Sequence, residues 1–136
     1  MATLKETVEK FDVDSTKNLV SETELSFLEK NEGFEIGVQL KEYILNYGYL
    51  GYESIEFYGI NSIQKEKSDL ILQTKYLHKY FPVSNEFVAF ENCGEGDYAI
   101  VDKNDNVCLL RTEDNQKVVN LQKKLFEYIE QRFSEE

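Results

Sequence analysis

Gly94-Glu95-Gly96-Asp97-Tyr98-Ala99-Ile100-Val101-Asp102 runs into Lys103-Asn104-Asp105-Asn106 and then Val107-Cys108-Leu109-Leu110. Two short runs of alternating and β-branched residues flank a polar, Asx-rich turn, the pattern of an antiparallel hairpin. Just upstream, Phe87-Val88-Ala89-Phe90 is a continuous apolar run of the length of a buried strand. Three consecutive strands late in a chain pair as a meander, and a meander needs helices to cover its apolar side.

Working outward, Leu4, Val8 and Phe11 recur at helical spacing, and the chain breaks at Asp12-Val13-Asp14-Ser15. Ser21-Glu22-Thr23-Glu24 is a capping box, with Val20 and Leu25 placed as its hydrophobic staple, and the helix it starts should stop at Gly33. Ile36, Leu40, Tyr43, Ile44 and Tyr47 share one face of a further helix ending at Gly48. Gly48-Tyr49-Leu50-Gly51 is read as a loop, and Ser54 to Ile60 as a strand. Ser62 to Tyr80 reads as a helix that ends before Phe81-Pro82. Thr112 to Gln116 is a polar loop, and Val118, Leu121, Leu125, Ile129 and Phe133 give a closing amphipathic helix. The class is α+β: a single domain over residues 1–136, with an antiparallel meander packed with helices on one face. Leu40, Ile44, Phe90, Ile100, Leu125 and Ile129 are its expected core.

Composition narrows the function. Fifteen Lys and Arg against 26 Asp and Glu give a net charge of −11. A field of that sign repels phosphate backbones and anionic lipid, so direct nucleic-acid or membrane binding is not expected and a basic protein partner is. Acidity also serves solubility alone. Met1 to Phe11 carries Lys5, Glu6, Glu9 and Lys10 without an apolar stretch, so no signal peptide is read and the protein is expected in the cytoplasm. Cys93 and Cys108 lack metal-site spacing and are expected as two buried, reduced thiols.

No nucleophile, phosphate-loop or zinc-helix motif is present, and His78, the only histidine, is expected to face solvent on its helix. No catalytic residue and no cofactor are therefore assigned. Asp102, Asn104, Asn106 and Glu113 fall at positions 1, 3, 5 and 12 of a calcium-loop pattern. Position 6 is Val107 where that loop needs glycine, so a plain turn is expected and no metal. The remaining candidates are acidic and aromatic: Glu53, Glu56 and Tyr58 on the earlier strand, and Glu91, Glu95, Asp97 and Tyr98 around Gly94 and Gly96. If the strands pair, these form a partner-binding surface in which charge speeds encounter and buried rings supply affinity.

The order of these motifs resembles the SUKH superfamily. Leu25-Ser26-Phe27-Leu28-Glu29 followed by Gly33 matches its first helix, and Ile36-Gly37 with Asn46-Tyr47-Gly48 matches the entry and exit of its second. Ile55 to Gly59 and Gly96-Asp97-Tyr98 with Asp102 match its strands. The family's helix-entry proline and the second glycine of its Asn-Gly-Gly exit are replaced here, both at turn positions. The resemblance covers Val20 to Phe133 and implies an immunity protein that binds a cognate toxin domain, a nuclease, and masks its active site. The fungal relatives, regulators of cell-wall synthesis, imply the alternative of a non-catalytic regulatory or scaffold module.

Overall fold

Among the described residues, seven strands pair in strict sequence order, β1 to β7, every neighbour antiparallel. They are β1 (Asp14–Lys17), β2 (Tyr47–Tyr52), β3 (Ile55–Phe57), β4 (Val88–Gly94), β5 (Asp97–Val101), β6 (Asn106–Arg111) and β7 (Lys117–Lys124). The helices are α1 (Leu4–Lys10), α2 (Glu22–Glu32), α3 (Val38–Asn46), α4 (Leu70–Tyr80) and the closing α5 (Leu125–Ser134). The structure, a computed structural model, describes residues 3–11, 13–17, 20–60 and 69–135. The fold is the α+β meander read from the sequence, with the central hairpin as β5 and β6.

Local chemistry sets the helix starts. The Ser21 side chain accepts from Glu24 N–H and the Glu24 carboxylate accepts from Ser21 N–H, so two otherwise orphaned donors are satisfied. Gly33, in the left-handed region at φ 72°, ends α2. Thr3 and Glu6 repeat the capping box on α1. α3 has no cap of its own: Gly37 stands at its N-cap position and contributes no side chain. The missing acceptor comes from across the molecule, where Asp105 takes the N–H groups of Gln39 and Leu40 at 2.9 and 3.0 Å. A Cβ on Gly37 would lie 2.5 Å from the Asp105 carboxylate, so glycine is what lets the cap approach.

Three segments correct the sequence reading. Gly48-Tyr49-Leu50-Gly51 is not a loop but the body of β2, because Leu50 and Gly51 gain pairing on both sides, with β1 and with β3. The break after Phe11 includes β1, a four-residue polar strand with no hydrophobic alternation to reveal it. Val118 and Leu121 lie on β7, not on the closing helix, which begins at Leu125. Their spacing fits a helix in isolation, but β6 presents an unpaired edge that the Val118-Val119 pair fills, and cross-strand pairing overrides the local period. The helix expected from Ser62 is present from Leu70; its first positions, through 68, lie outside the described residues.

All six expected core residues are buried. At the centre the Phe57 ring stacks on Phe90 at 4.7 Å between centroids and meets Phe133 of α5 at 5.4 Å, while Tyr43 of α3 stands edge-on to Phe90 at 5.2 Å. Such pairs add about 0.5–1.5 kcal/mol each beyond the apolar area they bury. The Tyr43 hydroxyl is satisfied by donating to the Tyr58 carbonyl at 3.0 Å, and burial pushes its phenol pKa up.

Candidate functional site

Strand register decides which turns share an end of the sheet. Tyr52 faces Ile55, Gly94 faces Asp97 and Arg111 faces Lys117, while Phe57 faces Glu91 and Asp97 faces Arg111. The β2–β3, β4–β5 and β6–β7 turns therefore emerge side by side. They carry Glu53, Glu95, Glu113 and Asp114, all exposed, with the half-buried Asp97 behind them. Asp97 pairs with Arg111 at 3.6 Å, leaving the rim acidic.

These turns are held in unusual backbone. Glu53 and Glu95 sit at φ 55°, and Asn115 and Gln116 at 53° and 54°, a region that L side chains seldom occupy. Glu95 lies between Gly94 and Gly96, at φ 89° and 81°. Positive φ at both central residues of a two-residue turn matches the right-handed twist of the strands it joins. The Gly96 carbonyl accepts from Thr112 N at 3.0 Å and Thr112 Oγ1 at 2.7 Å, tying the β4–β5 tip to the β6–β7 turn. A Cβ on Gly96 would lie 2.8 Å from that Oγ1.

The seven acidic and aromatic candidates do not form one surface. Glu53, Glu56 and Glu95 are exposed and Asp97 and Tyr98 are half-buried. Tyr58 is buried at 5% exposure, a correction: its backbone continues β3 alongside β4 within the sheet, its N–H donating to the Phe90 carbonyl and its own carbonyl accepting from the Tyr43 hydroxyl. Glu91, at 1% exposure, is also no surface residue. Register slips between Ala89 and Glu91, a bulge that places the Glu91 carboxylate toward α5. There Oε1 accepts from the Tyr128 hydroxyl at 2.6 Å and from Arg132 Nε at 3.0 Å, and Oε2 accepts from Arg132 Nη2. The ion pair is two-pronged, and hydrogen bonding to Glu91 raises the Arg132 pKa against the opposing effect of burial. Burial, then the charge of Glu91, pushes the Tyr128 phenol up. Tyr128 and Arg132 stand one turn apart on α5, a spacing visible in sequence, yet nothing local names their partner.

Cys93 and Cys108 differ. Cys108 is buried and Cys93 is exposed as a residue, so the expected pair of buried thiols holds for one only, and both are free. The Cys93 sulfur nonetheless reaches Tyr128 Oη at 3.7 Å, and partial burial followed by the Glu91 charge pushes its thiol up to about 11. His78 does not face solvent either. It is half-buried, donates from Nε2 to the Phe87 carbonyl at 2.7 Å and stands edge-on to Phe34, which fixes its ring as a tie between α4 and the start of β4.

At the opposite end, the turn that mimicked a calcium loop uses its oxygens internally. Asp102 accepts from Asn104 N, Asn106 N and Asn106 Nδ2, while Asp105 caps α3. Burial opposes ionisation of Asp102, but those donors and the charge of Lys124 outweigh it and hold the carboxyl below its ordinary range. Among the described residues no group of three or more His, Cys, Asp or Glu side chains is placed to hold a metal ion. No helix of the described residues is long and apolar enough to cross a membrane.

One exposed feature lies outside the residues expected from the sequence. Leu72, Tyr76 and Tyr80 lie on the outer face of α4, and Val83 follows. Their i, i+4, i+8 spacing was available as a signal, masked by the stronger inward set of Leu70 and Leu77.

Comparison with known proteins bears on the whole chain. The family model described as SMI1-KNR4 cell-wall (SUKH_5) matches residues 2–134. No curated protein matches. Among solved structures, a crystal structure of a protein from Pseudomonas syringae pv. tomato is 19% identical and superposes with a TM-score of 0.69, over 91% of this chain and 93% of that one. At that identity the likeness is one of fold.

Proposed function

The chain belongs to the SMI1-KNR4 cell-wall (SUKH) family, and from that premise we propose that it is an immunity protein that binds a cognate toxin domain and masks its active site. The observation that carries the reading is the row of exposed carboxylates on three adjacent turns, Glu53, Glu95, Glu113 and Asp114, on a chain of net charge −11. A nuclease needs a basic cleft to hold phosphate, and a rigid acidic rim is complementary to such a cleft. Rigidity matters because a pre-ordered surface loses less entropy on docking. The clasp between Gly96 and Thr112 supplies that order.

The role assigned is binding without catalysis. His78 is committed to a backbone carbonyl, and Glu91, the most buried carboxylate among the described residues, is paired with Arg132. The second reading, a regulatory or scaffold module, is favoured by the cell-wall description of the family itself. The two are separated by mixing the protein with the C-terminal domain of a toxin encoded next to it. Immunity requires a stable complex and loss of toxicity with no added ligand; absence of any complex with such a domain gives the lead to the regulatory module.

A further inference from the structure

Among the described residues, six large hydrophobic side chains are exposed, and three of them, Leu72, Tyr76 and Tyr80, lie on α4 with a fourth, Val83, just beyond it. Leu72, Tyr76 and Tyr80 share a face, while Leu70, Thr74 and Leu77 turn into the core. The Tyr76 and Tyr80 rings touch each other, with centroids 4.9 Å apart, and form a ridge rather than two separate side chains. From Leu72 to Tyr80 the ridge is about 12 Å long at 1.5 Å per residue. Exposed tyrosines with an aliphatic neighbour, held on a rigid helix, are the composition of interface anchors.

The ridge has a direction. Leu70 N–H donates to the Gly59 carbonyl beside the Tyr58–Phe90 contact, Ala89 N–H donates to Thr74 Oγ1, and His78 donates to Phe87. α4 therefore runs antiparallel to β4, with its Leu72 end toward the acidic turns. At its Tyr80 end Lys79 lies over the Tyr80 ring at 5.3 Å with no ion-pair partner among the described residues, so the unpaired cation of this helix sits away from the acidic turns. Lys75, by contrast, is taken up by Glu32 at 2.8 Å.

We propose that this face of α4 docks an amphipathic helix of a basic partner protein. The partner lays apolar side chains along Leu72, Tyr76 and Tyr80 and directs its Lys or Arg side chains toward the Leu72 end and the turns carrying Glu95 and Glu53. A straight apolar ridge on a helix is matched by the i, i+4 face of a second helix, and the charge gradient fixes its orientation. The proposal rests on the reading that the partner is basic, but it places affinity on a different element from the rim.

The test uses the full chain and two synthetic amphipathic helices of about five turns, Leu on one face and either Lys or Glu on the other, followed by amide chemical shifts at constant ionic strength. The Lys peptide is expected to shift residues 72–83, and to bind at least tenfold more tightly than the Glu peptide. Tyr76→Ala with Tyr80→Ala, both exposed and so compatible with folding, should weaken it at least tenfold, while Lys79→Glu should tighten it. Equal binding of both peptides, shifts that map away from α4, or α4 shifts that grow with protein concentration alone would overturn the proposal; the last result would assign the face to a second copy of the chain. Loss of peptide binding with rim-dependent toxin capture intact leaves the immunity reading standing and moves its anchor elsewhere.

Discussion

The two ends of the sheet carry the same kind of side chain and use it oppositely. At the β5–β6 end, Asp102 and Asp105 between them accept four backbone N–H groups and one side-chain amide, so their oxygens are occupied by the fold. At the other end, Glu53, Glu95, Glu113 and Asp114 stand in solvent on three turns, two of which, β4–β5 and β6–β7, are tied together by the Gly96–Thr112 clasp. Between them Glu91 is sealed under α5 with Arg132. What separates a structural carboxylate from an interaction carboxylate is the number of donors the fold brings to it. A donor-saturated carboxylate cannot be exchanged without loss of stability, whereas a solvated one changes the surface field and little else.

The largest effect is expected in the middle. Glu91→Ala leaves the Arg132 guanidinium half-buried and unpaired and should cost about 3–5 kcal/mol in urea unfolding, whereas Glu91→Gln with Arg132→Met should recover part of that loss. A stable Glu91→Ala protein that only binds its partner poorly would return Glu91 to the surface and break the comparison.

Cys93 marks where the sealed region ends. With its thiol pushed up to about 11 from the usual 9.0, the reactive thiolate is scarcer in the folded protein than in the unfolded chain. Alkylation at pH 8 should therefore run roughly a hundredfold slower folded than unfolded, and the folded rate should keep climbing with pH past 9. A folded rate that levels off near pH 9 would show that burial and the Glu91 charge do not reach the sulfur.

At the β5–β6 end, Asp105→Ala removes the cap of α3 and should cost about 1–2 kcal/mol, with faster hydrogen exchange at the Gln39 and Leu40 amides. Unchanged exchange at those two amides would mean that another acceptor serves them. The smallest effect on stability belongs to the acidic rim: Glu53→Lys, Glu113→Lys and Asp114→Lys should each shift the unfolding free energy by less than about 0.5 kcal/mol.

Much of this was legible in the chain. The capping box at Ser21, the Gly33 stop, the β5–β6 hairpin and the six core positions follow from rules that act over a few residues, and these are where local preference and tertiary context agree. β2 and β7 were read otherwise because Gly48 and Gly51 speak for a loop and the Val118–Leu121–Leu125 spacing speaks for a helix, while the deciding term is pairing with strands far off in sequence. The acidic turns were half legible. Glu53, Glu56, Glu95 and Asp97 were found as carboxylates on strands and turns, but Glu113 and Asp114 join them only through register. Glu91 and Tyr58 are buried because a bulge in β4 and the continuation of β3 along Phe90, neither marked by residue type, set them inward. The Asp105 cap spans more than sixty residues and has no local signature beyond the bare N-cap at Gly37.

Under the proposed function, the turn end of the sheet captures a basic toxin domain by charge. The direct measurement is the association rate with the neighbouring toxin's C-terminal domain, by stopped flow, for the wild type and for the combined Glu53→Lys, Glu95→Lys, Glu113→Lys and Asp114→Lys protein, at about 50 and 500 mM salt, where the Debye length is about 14 and 4 Å. Steering by these carboxylates predicts a wild-type rate that falls steeply with salt, and a variant at least tenfold slower at low salt whose rate no longer falls as salt rises. An association rate unchanged by the four reversals at low salt would contradict it.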